Sequence, residues 1–286
     1  MNNREYILSE LLQKYTIERI ETCIAKLKQN PLDINSAKTI IYFYFIDERL
    51  NTILKGMSFY EFYDNFDKVN MPSLLKTFDK MNYKRTPIDM YRIYGYFHGR
   101  CSPFKISIAY SLIHKYANDK DIVLDPCAGF GGRAVATILH NKQYIGFDLN
   151  DRLKPAYDNL LSHFPNNKCE MNYVDALTVD YSNYKYDCII TSPPYYNIEL
   201  YNNTNKRCKS DWIIWYKTLF KNIYDNLMNN GVMILSINQE MYNKIFQPMF
   251  GNPISIEPLQ LNKTKQNDYK EFVYIWRKCL HNFTHN

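Results

Sequence analysis

Residues 186 to 196 read Tyr186-Asp187-Cys188-Ile189-Ile190-Thr191-Ser192-Pro193-Pro194-Tyr195-Tyr196. Cys188 to Thr191 has the character of a buried strand, and it runs directly into Ser-Pro-Pro-Tyr. Consecutive prolines cannot continue a ladder, because neither has an N–H and each fixes φ near −65°. The sheet therefore stops at Ser192, leaving a hydroxyl, a carbonyl and an aromatic ring on a stiff loop at the carboxyl end of a strand. Ligands of open α/β sheets bind at such strand ends. Taken alone, the same stretch is also compatible with a rigid corner that has no chemistry.

Outward from this stretch, strand and helix alternate. Strands are expected at 121–124, 143–147, 169–174, 188–191 and 232–237, with helices at 132–140, 152–164, 211–228 and 241–250 between or after them. Two further strands, 254–261 and 272–278, joined by a polar loop, suggest a terminal antiparallel pair. Such alternation means α/β architecture, a mainly parallel sheet with helices on both faces. The preceding region lacks this pattern. Apolar residues recur at helical spacing from Glu5 to about Lys28, and Ser36 can cap a helix from Ala37 to about Leu54 whose run Ile40–Ile46 implies burial on most sides. Shorter helices are expected at 59–66 and 72–81. Residues 1–85 thus read as a small helical domain, either a cap that completes the core or a substrate-recognition element, and 86–286 as an α/β domain, with the boundary at Asn82–Pro87. Tyr91–Lys105 reads as a basic, aromatic loop suited to phosphate contacts and base stacking, or equally a solvated loop, before a helix at 106–116.

The bulk composition narrows the function classes. In 286 residues, 46% of them hydrophobic, no run approaches the length of a spanning helix, about 20 apolar residues. Met-Asn-Asn-Arg-Glu at the start has no apolar stretch of the signal-peptide kind, so an intracellular location, cytoplasmic or nucleoid or nuclear, is expected, with no membrane partner. The seven cysteines are scattered without a Cys-x-x-Cys pair, which indicates neither a disulfide framework nor a zinc site. A net charge of +6 is compatible with a polyanionic partner. The 26 tyrosines could stack on bases, although abundant Asn, Lys, Ile and Tyr also follow from an AT-rich coding sequence.

The first strand of the alternation ends in Asp125-Pro126-Cys127-Ala128-Gly129-Phe130-Gly131-Gly132-Arg133. Glycines here let the backbone turn sharply and approach a ligand. The spacing is not Gly-x-Gly-x-x-Gly, and Asp125 would repel a pyrophosphate; an acid there suits a cationic group such as an α-ammonium. Asp148 ends the second strand, 23 residues after Asp125, where an acidic residue binds ribose hydroxyls in nucleoside-binding folds. Asp175 ends the third strand, placed to accept from an adenine amino group. Singly, each aspartate also fits a cap or a turn. Together with Ser192–Tyr195 they form a ligand pattern.

The combination resembles the S-adenosylmethionine-dependent amino-methyltransferases that modify exocyclic amines of DNA bases. Their hallmarks, Asp-Pro-x-x-Gly-x-Gly and Ser/Asn/Asp-Pro-Pro-Tyr, stand here as Asp125–Gly131 and Ser192–Tyr195, and Ser102-Pro103-Phe104-Lys105 resembles the segment contacting the methionine part of the cofactor. The resemblance covers about residues 90 to 280. It implies a Rossmann-like class I methyltransferase fold with a seven-stranded sheet whose last strand is antiparallel, and S-adenosyl-L-methionine as cofactor. It assigns cofactor contacts to Ser102, Lys105, Asp125, Pro126, Cys127, Ala128, Gly129, Gly131, Asp148 and Asp175, and catalysis to Ser192, Pro193, Pro194 and Tyr195.

An exocyclic amine is a poor nucleophile because its lone pair is delocalised. Acceptance of its N–H groups by Ser192 Oγ and the Pro193 carbonyl would free that pair, while Pro194 stiffens the loop and Tyr195 stacks on the base. A target in a duplex would be flipped out, at a cost of a few kcal/mol. Ser192 leans the target towards N4 of cytosine over N6 of adenine. DNA is the implied partner; RNA, a protein amide, and a silent relative that only binds nucleic acid remain alternatives. Only about 90 residues follow Tyr195, too few for a sizeable target-recognition domain. Recognition then falls to the first 85 residues, to the loops Asn202–Lys209 and Asn262–Asp268, or to another subunit, a homo-oligomer included. Tyr196, Trp212 and Trp215 are second stacking candidates, with core packing the alternative for the tryptophans.

Overall fold

A computed structural model describes residues 2–68, 71–196, 199–200, 207–259 and 271–279. Strands β1 (Ile122–Asp125), β2 (Gln143–Phe147), β3 (Lys168–Asn172), β4 (Cys188–Thr191), β5 (Val232–Asn238), β6 (Ser255–Pro258) and β7 (Glu271–Arg277) form one sheet in the order β3-β2-β1-β4-β5-β7-β6. The five strands from β3 to β5 are parallel, and β7 runs antiparallel to both β5 and β6. This is the seven-stranded Rossmann-like methyltransferase fold, last strand antiparallel. Successive strand residues point to opposite faces, and the core divides accordingly. Val123, Cys188, Ile190 and Ile234 belong to one apolar layer; Leu124, Ile189, Met233 and Leu235 belong to the other.

The first layer is covered by α7 (Ile106–Tyr116), α8 (Gly132–Leu139) and α9 (Lys154–Leu161), the second by α10 (Lys209–Asp225) and the helical segment 239–250. Trp212 and Trp215 are buried in that second layer, so their role is packing. The strand order reverses between β1 and β4, which opens a crevice at their carboxyl ends.

The N-terminal region departs from the sequence reading in three ways. The expected single helix over 5–28 is two, α1 (Asn3–Leu12) and α2 (Ile17–Gln29), because Thr16 caps the second by accepting from the Arg19 N–H. The next helix, α3 (Ile34–Asn51), is capped by Asp33, not Ser36; Asp33 accepts from the Asn35 and Ser36 N–H groups. The first half of the expected loop 91–105 is helix: α6 (Pro87–Phe97) starts at a Thr86 cap with proline at its first turn.

With α1, α4 (Phe59–Asp64) and α5 (Pro72–Lys80), α6 builds a separate apolar cluster around Phe59, Phe62 and Leu74. The boundary at residue 85 is therefore displaced, since α6 packs with the helices before it. Nor is the helical region a detached domain. Ile40, Ile41 and Phe45 of α3 join the core over α7–α9, whereas Ile46 and Leu50 face the helical cluster. A helix apolar on most sides has two neighbours to satisfy, which explains Ile40–Ile46. Beyond α3, Ile53–Leu54 pairs antiparallel with Glu199–Leu200. Among the described residues no helix is long and apolar enough to cross a membrane.

Candidate active site

The turn after β1 is built around a buried ion pair. Asp125 is fully buried, and Arg133, in the first turn of α8, donates from Nε to its Oδ2 at 2.6 Å. Tyr144 donates its hydroxyl to the same oxygen at 2.8 Å, and the Cys127 N–H reaches Oδ1 at 3.2 Å. Arg133 also donates to the carbonyls of Cys127 and Ala128, so one guanidinium ties the loop backbone at two points besides the Asp125 carboxylate. Burial works against the Arg133 charge, but the adjacent carboxylate outweighs it and holds the guanidinium above its ordinary value. The sequence reading offers Asp125 to a ligand ammonium; in the structure its carboxylate is buried and engaged by Arg133, Tyr144 and the Cys127 N–H.

That loop presents backbone. Gly129 and Gly131 have φ of +58° and +75°, the left-handed region where a side chain is disfavoured. A Cβ on Gly129 would meet nothing nearer than the Cys127 carbonyl at 3.9 Å, so its surroundings leave room for a ligand. The Gly129 N–H donates to Asp148 Oδ2 at 2.7 Å, and the Asn150 N–H to Oδ1 at 2.9 Å. Asp148, half-buried at the end of β2, thus stands beside the glycine turn with lone pairs remaining on both oxygens. Burial pushes its carboxyl above the ordinary value, against those two N–H groups. Tyr157, from α9, donates to the Gly129 carbonyl at 3.0 Å. Ala128 is tied to β2 through the Phe147 carbonyl, and Pro126 is buried beneath the turn. Asp175, half-buried after β3, caps the short turn 176–178 by accepting from the Leu177 N–H at 3.0 Å.

Ser102–Lys105 lies against the same turn. A Cβ on Gly132 would fall 2.0 Å from the Phe104 carbonyl oxygen, so only glycine admits this approach. Arg133 sits over the Phe104 ring at 5.3 Å. Ser102 is exposed, its hydroxyl directed to the Arg100 carbonyl, and Lys105 is the residue before α7.

Across the crevice, Ser192–Tyr195 leaves β4, which pairs directly with β1. The two motifs meet at Thr191, whose buried hydroxyl lies beside the Cys127 thiol. Burial, then the nearby Asp125 and Asp148 charges, push that thiol well above its ordinary value, which disfavours a thiolate there. Pro193 is buried, and Tyr216 of α10 donates to the Pro194 carbonyl at 2.6 Å while accepting from the Tyr196 N–H at 3.0 Å. Tyr196 is held at φ +50°, a strained conformation for an aromatic residue. The Tyr195 hydroxyl is pinned to the Ser236 carbonyl at 3.0 Å and to Glu271, with the Ser192 hydroxyl beside it. This fixes the ring plane. Glu271 also accepts from the Ser236 hydroxyl, and burial pushes its carboxyl up.

The structure thus gathers Asp125–Gly131, Asp148 and Ser102–Lys105 around one turn, and sets Ser192–Tyr195 on the adjoining strand. Sequence reading misses the residues that hold these groups: Arg133, Tyr144 and Tyr157 on one side, Tyr216, Ser236 and Glu271 on the other. Only Arg133 carried a signal, as the cation closing the glycine motif. Asn262–Asp268 and most of Asn202–Lys209 lie outside the described residues.

No family model matches the chain, and no curated protein matches it. Among solved structures it is similar to an rRNA methylase from Streptococcus thermophilus, with 13% identity, 63% of this chain and 99% of that chain covered, and a TM-score of 0.43. NSun6 from Pyrococcus horikoshii with SFG gives 13% identity, 63% and 53% coverage and a TM-score of 0.46. An RNA methyltransferase from Salinibacter ruber in complex with S-adenosyl-L-homocysteine gives 12% identity, 63% and 95% coverage and a TM-score of 0.40.

Proposed function

We propose that this chain transfers a methyl group from S-adenosyl-L-methionine to an exocyclic amine of a nucleic-acid base. The observation that carries the reading is the pairing across the β1/β4 crevice: an open glycine turn bonded to Asp148 on one side, and the braced Ser192–Tyr195 loop on the other. Gly129 leaves room for close approach, and Asp148 offers lone pairs to ribose hydroxyls. Asp175, in the turn after the next strand, is the acceptor offered to the adenine amino group. The bound cofactor supplies an electrophilic sulfonium methyl.

On the other side, the chain's residues prepare the amine. Ser192 Oγ and the Pro193 carbonyl accept its N–H groups and free the nitrogen lone pair. Tyr195, its hydroxyl anchored, offers a ring face for the base at low entropic cost. Rate then comes mainly from positioning, and the product amine loses its proton after transfer, so no strong base is required.

Two nucleic acids follow from different observations. The motif resemblance implies DNA, with N4 of cytosine ahead of N6 of adenine; the names of the similar solved structures favour RNA. The deciding experiment incubates the protein with labelled S-adenosyl-L-methionine and separate DNA and RNA pools, then identifies the methylated nucleoside by mass spectrometry. An N-methylated base in either pool supports the reading and names the substrate. Calorimetry showing no cofactor binding would sink the enzyme reading and leave a nucleic-acid-binding relative.

A further inference from the structure

The segment Phe45–Leu54 touches the glycine turn, the Asp148–Asn150 loop and the segment before Ser102, and pairs with the chain beyond Tyr196. Phe45, fully buried, packs edge-on to Phe130 and Tyr157, and a Cβ on Gly131 would come within 3.0 Å of its ring. One turn on, Glu48 Oε2 accepts from Asn150 Nδ2 at 3.2 Å, two residues beyond Asp148. Its neighbour Arg49 donates to the Cys101 carbonyl from Nε at 3.2 Å and Nη2 at 2.9 Å, next to Ser102. Positions 45, 48 and 49 share one helix face. The chain then leaves α3 as the strand Ile53–Leu54, paired with Glu199–Leu200 shortly after Tyr196.

We propose that α3 is the outer wall of the cofactor site, with Glu48 and Arg49 as positioning residues that hold the Asn150 and Cys101 loops at their binding separation. The inference rests on the cofactor reading above. Three observations set it apart from ordinary packing. Glu48 is a carboxylate only 7% exposed, and burying a charge is costly unless its oxygens are used. Asn150 and Asn51 donate to its two oxygens, and Arg4 Nη2 lies 3.6 Å from Oε1. Arg49 spends two donors on a single loop carbonyl, a geometry that fixes the position of that peptide. The loops so held are separated in the chain by α7, β1, α8 and β2, and no direct covalent link keeps them in register. Without the wall each loop samples wider positions, and the cofactor must order them on binding at the expense of affinity.

The test uses full-length protein carrying Arg49→Met or Glu48→Ala. The readouts are calorimetric Kd for S-adenosyl-L-methionine, ligand-free Tm, and KM and kcat for methyl transfer. The expected result is a Kd and a cofactor KM raised about 5- to 20-fold, with a smaller change in kcat. A lowered Tm with wild-type Kd and KM would overturn the proposal and leave α3 a purely structural helix. If either variant fails to fold, Arg49→Lys and Glu48→Gln, which keep a polar partner, carry the test: weaker cofactor binding supports the wall, and wild-type binding overturns it. If the wild-type protein itself binds no cofactor, the cofactor reading falls and this inference falls with it. Binding by wild type with unaltered variants sinks the wall alone.

Discussion

Asp125 and Arg133 face each other inside the first strand-to-helix turn, both withdrawn from water, with Tyr144 completing the carboxylate's hydrogen bonds. Removing one member of such a pair leaves the other charge buried and unpaired, which typically costs about 3–5 kcal/mol. Arg133→Met is therefore expected to lower stability by an amount of that order, and Asp125→Asn/Arg133→Met to recover part of it. Chemical denaturation of the three proteins checks this; a single mutant as stable as wild type would show that the turn does not depend on the pair. In the proposed function Tyr195 contributes to rate, through stacking on the base. Base stacking on an aromatic ring is worth about 1–3 kcal/mol by alanine substitution. Tyr195→Ala should accordingly lose roughly 5- to 150-fold in transfer, with cofactor binding retained. Tyr195→Phe keeps the ring but frees it from Ser236 and Glu271, and should fall between. Unchanged transfer in Tyr195→Ala would remove the stacking role.

At the scale of elements, β7 does more than finish the sheet. Its first residue, Glu271, pairs with Asn238 in the antiparallel register and so arrives beneath the Ser192–Tyr195 loop. Burial raises its carboxyl above the ordinary value of 4.5, outweighing the hydrogen bonds from Tyr195 and Ser236. A raised native value means that the folded state binds this proton more tightly than the unfolded chain. The contribution is then full below pH 4.5 and is lost as pH rises through the native value. Glu271→Gln cannot lose it. The Tm of the variant relative to wild type should therefore climb as pH is raised from about 4 to about 8, measured by calorimetry; a difference independent of pH would show that Glu271 carries no such shift.

The same register explains what could be read in advance. β1, β4 and β5 are short apolar runs ended by Asp, Ser-Pro-Pro or Asn, and their limits agree with the sequence reading to about a residue. The motif residues sit at strand ends and announce themselves. Glu271 and Tyr216 do not, because they lie 76 and 22 residues from the groups they hold and reach them only through sheet register and helix docking. The break between α1 and α2 contains no glycine or proline, and α6 was masked by the basic and aromatic character of its exposed residues, although Thr86-Pro87-x-Asp89 is a start signal.

For the molecule as a whole, the question is whether the helical region is an appendage. A detachable recognition domain would leave behind a catalytic unit with a polar surface where it had been. Here α2 and α3 supply Ile20, Ile24, Leu27, Ile40, Ile41 and Phe45 to the same apolar layer as α7, α8 and α9. Burying one large apolar side chain stabilises by about 1.5–3 kcal/mol, an upper estimate. Ile40, Ile41 and Phe45 alone thus represent about 4–9 kcal/mol, against a typical net stability of about 5–15 kcal/mol for a whole domain. Cutting at residue 85 would also expose the partners of those side chains as a contiguous apolar patch, a hazard for aggregation. A protein comprising residues 86–286 is accordingly expected to aggregate or to melt without cooperativity, followed by circular dichroism and size-exclusion chromatography. A monomeric, cooperatively folded fragment would show that the β-sheet core is self-sufficient and that α2 and α3 are accessory. The failure expected instead would mean that α2 and α3 are needed to complete the apolar layer over α7, α8 and α9.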